Sequence, residues 1–400
     1  MNPPPEAPFP AGLTALIGQT AGQIDTPALV VDLGAMERNL AAMAQFARQH
    51  RMRWRPHAKM HKSAALALRQ VQAGAVGVCV QKTAEAEAMV AGGVNDVYIS
   101  NEVIAPAKLA RVAALAKVLA ERQGLLSIAV DSIEGVRRLA QAMADAGTRI
   151  DVYVEIDVGQ GRCGVAPGEP ALVLAQEIVR HRQLHFAGLQ AYHGRAQHLR
   201  TAAERRDAIL QAVDAARNTR RRIEAAGIPV GLVTGAGTGS FALETASGVY
   251  GELQTGSFLF MDADYAANQA SCDPSDPQQK APRFEHALFV KSQVISTCAT
   301  HAVCDAGHKS HAVDSGLPRV HGLELDYTNG GDEHGILRAR ANTTTPLPRL
   351  GDTVWLIPGH CDPTVNLHDH LIGVRPGPDG HLDQAVVEGL IRVDARGALT

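Results

Sequence analysis

From about residue 26 to residue 260 the chain alternates short β-branched and aliphatic runs with longer stretches, rich in Ala, Leu, Arg and Glu, that have helical period. That rhythm predicts repeated βα units around a parallel sheet, because parallel neighbours need a crossover and a helix commonly supplies it. Eight strands are expected, centred on residues 54–56, 76–80, 96–100, 127–131, 151–157, 186–192, 231–234 and 252–260. Residues 35–50, 105–121, 132–146 and 201–226 are expected helices, composed of good helix formers. Eight such units fit a closed, TIM-like (β/α)8 barrel, a fold of about 250 residues. An open doubly wound sheet is the structural alternative.

The pattern changes near residue 266. Residues 266–284 hold turn formers and little apolar content, which predicts a linker or surface excursion. Beyond it, β-rich runs at 287–296, 353–357 and 371–375 are separated by Gly, Pro and Asp turns, with no long helical pattern. The expected organisation is an N-terminal extension over 1–25 packing on the β-domain, a barrel over 26–265, a linker over 266–284 and a C-terminal β-domain over 285–400. The extension has Pro at positions 3, 4, 5, 8 and 10 and no basic segment leading into an apolar run, so it does not read as a signal peptide.

Composition narrows the function classes. With 38 Lys and Arg against 41 Asp and Glu, the formal charge of −3 supplies no field to hold nucleic acid or an anionic membrane, and no apolar stretch is long enough to span a bilayer. A small-molecule partner is expected. Six cysteines (Cys79, Cys163, Cys272, Cys298, Cys304 and Cys361) lack paired metal spacing and read as reduced thiols of a cytoplasmic protein.

Three segments carry candidate chemistry. Lys59, in Arg55-Pro56-His57-Ala58-Lys59-Met60-His61-Lys62, follows the first expected barrel strand, at the face where barrels place reactive groups. The cations His57, His61 and Lys62 are expected to lower its amine pKa toward the nucleophilic form; a solvated basic loop has the same composition. The turn Thr234-Gly235-Ala236-Gly237-Thr238-Gly239-Ser240 follows the seventh strand and precedes a helical segment, where glycines let backbone N–H groups approach an anion and Thr238 and Ser240 add hydroxyls. Such a turn also merely connects elements, but with Lys59 it points to a phosphorylated cofactor. In Pro358-Gly359-His360-Cys361-Asp362-Pro363-Thr364, an extended backbone would put His360 and Asp362 on one side for a shared Mn²⁺, Mg²⁺ or Zn²⁺, with Cys361 turned away. An Asp-Pro bend is the other reading. Further candidates are Arg162 for a cofactor phenolate, Tyr192 for a ring contact, and His193 or His198 as a general base, all at expected strand ends. Asp305 to Lys309 and Asp332 to Gly335 are either additions to the site from the β-domain or ordinary turns.

Taken together, these segments make the chain resemble the D-threonine aldolase and 3-hydroxy-D-aspartate aldolase family, related to D-serine dehydratase and sharing the alanine-racemase-type fold. The resemblance is carried from Asp25-Thr26-Pro27 to Arg375 by Pro56-His57-Ala58-Lys59, Val80-Gln81-Lys82, Ser100-Asn101-Glu102-Val103, Gly159-Gln160-Gly161-Arg162-Cys163-Gly164-Val165, Gln190-Ala191-Tyr192-His193-Gly194, the glycine turn, Asp332-Glu333-His334-Gly335 and His360-Cys361-Asp362-Pro363-Thr364. It implies a homodimer with pyridoxal 5'-phosphate on Lys59, and a cofactor site of His57, Arg162, Tyr192, Gly237, Thr238, Gly239 and Ser240. It also implies a divalent metal on His360 and Asp362. His-x-Asp, where dehydratase-like members resemble His-x-Cys with zinc, favours manganese or magnesium and C–C cleavage. The implied reaction is retro-aldol cleavage of D-3-hydroxy amino acids, D-threonine to glycine and acetaldehyde or 3-hydroxy-D-aspartate to glycine and glyoxylate, with His198 or a metal-bound hydroxide as the expected base. The rivals are a D-serine or D-3-hydroxyaspartate dehydratase, an amino-acid racemase, which would not need the His360/Asp362 pair, and a noncatalytic cofactor-binding protein, which would lack the β-domain. Two departures stand out: Phe258 where a tyrosine is expected, which would remove a polar contact of the site, and Ala236 where a glycine is expected.

Overall fold

The computed structural model describes residues 8–400. Strands β2 (Arg53–Trp54), β3 (Val78–Val80), β4 (Asp96–Ile99), β5 (Leu125–Val130), β6 (Ile150–Glu155), β7 (Leu184–Gln190), β8 (Leu232–Gly235) and β9 (Glu252–Leu253) form one parallel sheet in which consecutive strands from β3 to β9 pair and β9 pairs with β2. The ring closes where Val76 N donates to Trp54 O and Cys79 N to Pro56 O, each at 2.9 Å, with a parallel bridge between His57 and Cys79. Helices α3 (Ala64–Gln72), α4 (Thr83–Ala91), α5 (Pro106–Glu121), α6 (Ile133–Ala146), α7 (Glu169–Val179), α8 (Ala202–Ala225) and α9 (Phe241–Ala246) fill the crossovers. The predicted eight-stranded barrel is the observed one, and all eight expected strand positions contribute to it.

Inside the barrel, Cys79, Tyr98, Ala129, Tyr153 and Ala187 pack together, and a buried ion network replaces apolar filling at one level. Arg55, 2 % exposed, donates through Nε to Glu252 Oε1 at 3.1 Å and through Nη1 to Asp96 Oδ1 at 2.5 Å. Both carboxylates hold its guanidinium above the ordinary arginine value despite burial, which acts the other way. The strand that leads to Lys59 is thereby tied to β9 and β4.

The second sheet corrects the expected start of the barrel. Residues β1 (Ala28–Asp32) pair antiparallel with β10 (Leu288–Thr297) and parallel with β16 (His370–Arg375), so they belong to the β-domain sheet. β1 is apolar on both faces, with Leu29 and Val31 in one core cluster and Val30 in another; a strand sandwiched this way has the same continuous apolar pattern as a barrel strand. β11 (Ala302–Cys304), β12 (Arg319–Val320), β13 (Leu325–Asn329), β14 (Gly335–Ala339), β15 (Thr353–Ile357) and β17 (Val386–Arg392) complete this sheet. Residues of the expected extension lie along β17, with Gly18 N on Val387 O and Ala21 N on Ala385 O. The described helices are completed by α1 (Ala11–Thr14), α2 (Leu33–Gln49), α10 (Ala263–Ala266) and α11 (Cys361–Val365). The expected excursion lies against α8, where Arg205 Nη2 donates to Gln269 O and Nε to Gln278 Oε1. None of the described helices is long and apolar enough to cross a membrane, and all six cysteines are free.

Candidate active site

At the end of β2 the chain passes the buried Arg55, turns at Pro56 and enters a single 3-10 turn, Ala58–Met60, whose cap His57 accepts Lys59 N at 3.4 Å through Nδ1. This turn aims the half-buried Lys59 across the barrel mouth, where Nζ stands 2.8 Å from Asp362 Oδ2. The expectation that neighbouring cations lower the Lys59 amine is overturned: the Asp362 carboxylate beside it outweighs burial and raises it. None of the three supposed cations acts as expected. Burial drives His57 well below its ordinary value and His61 down to about 4, leaving both neutral near pH 7, while Lys62 turns away to Glu85 at 3.1 Å.

Lys59, His57, Arg162, Tyr192, His198, Gly237, Thr238, His360 and Asp362 all line one cavity of about 560 Å³ at the C-terminal mouth of the barrel. Tyr192 is largely buried there, and burial raises its phenol while Lys59 and Arg162 oppose the rise. His198 presents its Nδ1 to Asp264 Oδ2 at 2.6 Å, which fixes the ring and leaves Nε2 on the other side. Burial raises the Asp264 carboxyl, but hydrogen bonds from His198 and Arg200 hold it below its ordinary value. His193, the other proposed base, does not line the cavity. Its ring lies under the Arg162 loop, so close that a Cβ on Gly159 would sit 2.7 Å from Nε2.

The glycine turn is only partly as expected. Gly237 and Thr238 face the cavity, whereas Gly239 and Ser240 line a neighbouring cavity of about 390 Å³. The Gly239 amide is already committed to Gln197 Oε1 at 2.9 Å, and the Ser240 hydroxyl to Glu244 Oε1 at 2.8 Å. Gly237 lets the Gln197 amide pack close, since a Cβ there would meet Gln197 Oε1 at 2.5 Å. Ala236 takes φ of +70°, which explains why a glycine suits that position. Phe258 does not line the cavity: it is fully buried, packs edge-on against Trp54 at 5.6 Å, and gives its backbone N–H to Thr238 Oγ1.

The metal segment is not extended, because Cys361–Val365 is a short helix with His360 as its cap. His360 and Asp362 nonetheless converge, Nε2 to Oδ1 at 3.8 Å, and Cys361 turns inward to Met261 O. Asp314 Oδ2 holds His360 Nδ1 at 2.7 Å, so Nε2 faces Asp362. Burial would lower the imidazole, but Asp362 and Asp314 keep it above its usual value. Asp362 Oδ1 is buried without a hydrogen-bond partner. A buried carboxylate oxygen with no donor, beside an oriented imidazole nitrogen, is a donor set that fits a divalent cation. The amine of Lys59, the phenol of Tyr192, the guanidinium of Arg162, the Thr238 hydroxyl and the glycine turn likewise fit a phosphorylated aromatic aldehyde.

Asp305, His308, Lys309, Asp332 and Glu333 do not line this cavity; Lys309 pairs with Glu333 at 2.6 Å and His308 with Asp332 at 3.0 Å on the surface. Asp314, Asp264 and Gln197 are the supports that the sequence reading missed. Each acts from another segment on a residue already in view, so no local pattern marks it. A cluster at the ends of β4, β5 and β6 was also missed: ligand atoms of Glu102, Asp131 and Cys163 lie within 4.8 Å of one another. Burial, then the charge of Glu102, pushes the adjoining Glu155 carboxyl up to about 9.

Family comparisons agree with this geometry. The alanine racemase N-terminal domain model matches residues 31–264, and a serine dehydratase domain model matches residues 287–374. The chain is 43% identical to a D-threonine aldolase of Arthrobacter sp over 99% of this chain and 96% of that one. It is 40% identical to a 3-hydroxy-D-aspartate aldolase of Paracoccus denitrificans, covering 96% of this chain and 95% of the relative. The crystal structure of D-threonine aldolase from Filomicrobium marinum superposes with a TM-score of 0.88 at 44% identity, covering 96% of this chain and 99% of that one. An active-site barrel of alanine-racemase type, a β-domain bearing His360 and Asp362, and likeness along the whole length place the chain in the D-threonine aldolase and 3-hydroxy-D-aspartate aldolase family.

Proposed function

We propose that the chain cleaves D-3-hydroxy amino acids between Cα and Cβ, giving glycine and an aldehyde: acetaldehyde from D-threonine, glyoxylate from 3-hydroxy-D-aspartate. The observation that carries this reading is the convergence of Lys59 and the His360/Asp362 pair in one cavity, Nζ to Oδ2 at 2.8 Å. Bound pyridoxal phosphate supplies a sink for the electrons released at Cα, and a divalent cation lowers the pKa of the β-hydroxyl.

The chain's own residues do the rest. Lys59 would anchor the cofactor aldehyde; Arg162 and Tyr192 border the same cavity, and Gly237 and Thr238 would receive the phosphate. His360 and Asp362 would hold the cation, with Asp314 fixing the imidazole so that Nε2 faces Asp362. His198, its Nδ1 fixed by Asp264, takes the β-hydroxyl proton at Nε2 as the Cα–Cβ bond breaks, and Cα is then protonated to give glycine. The proposed ion is Mn²⁺ or Mg²⁺, since one imidazole and one carboxylate leave the remaining positions to water and substrate oxygens. The proposed working unit is a cytoplasmic homodimer, which a solution mass tests.

The purified protein is incubated with D-threonine, 3-hydroxy-D-aspartate and D-serine, with and without a chelator, and glycine is followed against ammonia. Glycine plus aldehyde, lost on chelation, is expected. Ammonia without glycine would instead assign the chain to the dehydratases. Lys59→Ala is expected to abolish the cofactor's absorbance band near about 410–420 nm; its persistence would reject Lys59 as the anchor.

A further inference from the structure

A buried carboxyl that the proposed reaction does not use braces the glycine turn from behind. Glu244, on α9, is 1% exposed. Its Oε1 accepts from Ser240 Oγ at 2.8 Å, and its Oε2 is buried with no partner. Ser240 Oγ accepts in turn from Gln197 Nε2 at 2.7 Å, and Gln197 Oε1 accepts from Gly239 N at 2.9 Å. Glu244, Ser240 and Gln197 therefore run as one hydrogen-bonded chain into the backbone of the turn.

A carboxylate in that position has one oxygen with no donor, which is costly in a dry interior. Burial accordingly pushes the Glu244 carboxyl up to about 7, against the Ser240 hydrogen bond. The titratable groups that feel its charge are the phenols of Tyr250 and Tyr192, both raised by burial. On α8, Arg205 is committed to Leu199 O at 2.7 Å, Arg200 O at 2.9 Å and the 266–284 segment, while Asp276 of that segment faces Arg206 at 3.8 Å. Neither arginine offsets Glu244.

We propose that Glu244 is a positioning residue for the anionic end of the cofactor: neutral, it braces the turn through Ser240 and Gln197; ionised, it sets a negative charge behind the turn and weakens the hold on a phosphate ester. This rests on the reading that the turn receives the phosphate of pyridoxal phosphate.

The test titrates cofactor-free full-length protein with pyridoxal phosphate and with pyridoxal, which lacks the phosphate, between about pH 6 and pH 8.5. The ratio of the two dissociation constants cancels what both ligands share at Lys59. In the wild type the preference for the phosphorylated ligand is expected to fall about tenfold as pH rises. The phosphate's own second ionisation, near about pH 6, acts in the opposite direction. In Glu244→Gln the fall disappears. Parallel profiles in the two proteins would overturn the proposal, and so would a preference that rises with pH in the wild type alone, which decides the matter if the variant does not fold. Binding of neither ligand would defeat the cofactor reading and this inference with it, whereas phosphate-selective binding without the pH trend defeats only the inference.

Discussion

Replacing Arg55 by Met would remove the cation that ties β2 to β4 and β9 while filling much of its volume. Arg55 is 2% exposed and serves Glu252, whose side chain has no exposure, and Asp96. Glu252 keeps Thr234 Oγ1 at 3.0 Å and the half-exposed Arg53 at 3.1 Å; Asp96 loses its bidentate partner. Breaking a buried pair by deleting one member leaves an uncompensated buried charge and costs about 3–5 kcal/mol. Urea unfolding followed by the fluorescence of Trp54, in a Trp355→Phe background, measures the loss in the barrel itself. Burial already raises the Asp96 carboxyl and Arg55 opposes that rise, so with Arg55 gone the stability tied to this carboxyl is present below its unfolded value and lost as pH rises. The deficit against the wild type is therefore expected to be widest near about pH 7 and to narrow toward pH 4–5. A deficit below about 1 kcal/mol that does not change with pH would refute the assignment of Arg55 as the tie of the lysine-bearing strand.

Asp314→Asn weakens the orientation of His360 and is expected to lower metal affinity about 10–100-fold, read by titrating cation into chelated protein; unchanged affinity would show that Asp314 does not support the site. Ala236→Gly removes the cost of a Cβ at φ +70° and is expected to stabilise by up to about 1 kcal/mol with an unchanged cofactor spectrum, whereas destabilisation would contradict the backbone reading. Glu155 has a folded pKa raised by burial and by Glu102, so wild-type stability falls as pH rises above the unfolded value. Glu155→Gln escapes that loss and is expected to gain about 1–3 kcal/mol on the wild type between pH 5 and pH 8, in thermal melts at both; parallel melts would reject the raised Glu155 carboxyl.

The chain's periodicity was sufficient for eight βα units around a parallel sheet, but closure into a barrel rather than an open sheet was decided by the pairing of β9 with β2 and of that edge with β3. Lys59, Gly237, Thr238 and the His360/Asp362 pair, each picked out from a local segment, line one cavity, whereas Gly239 and Ser240 of the same turn do not. What periodicity could not decide was partnership. β1 has the apolar run of a barrel strand yet pairs with β10 and β16, because burial on both faces looks the same in either sheet. The sign of the Lys59 shift was misread for the same reason: its sequence neighbours are bases, but its spatial neighbour is Asp362, some three hundred residues later. His360 and Asp362 were paired correctly on the wrong backbone, a short helix supplying the convergence expected of a strand. Asp314, Asp264, Gln197 and Glu244 carry no motif. Their roles exist only once folding sets an imidazole, an amide or a hydroxyl within hydrogen-bond reach, and a hydrogen bond depends on distance in space and not on separation along the chain.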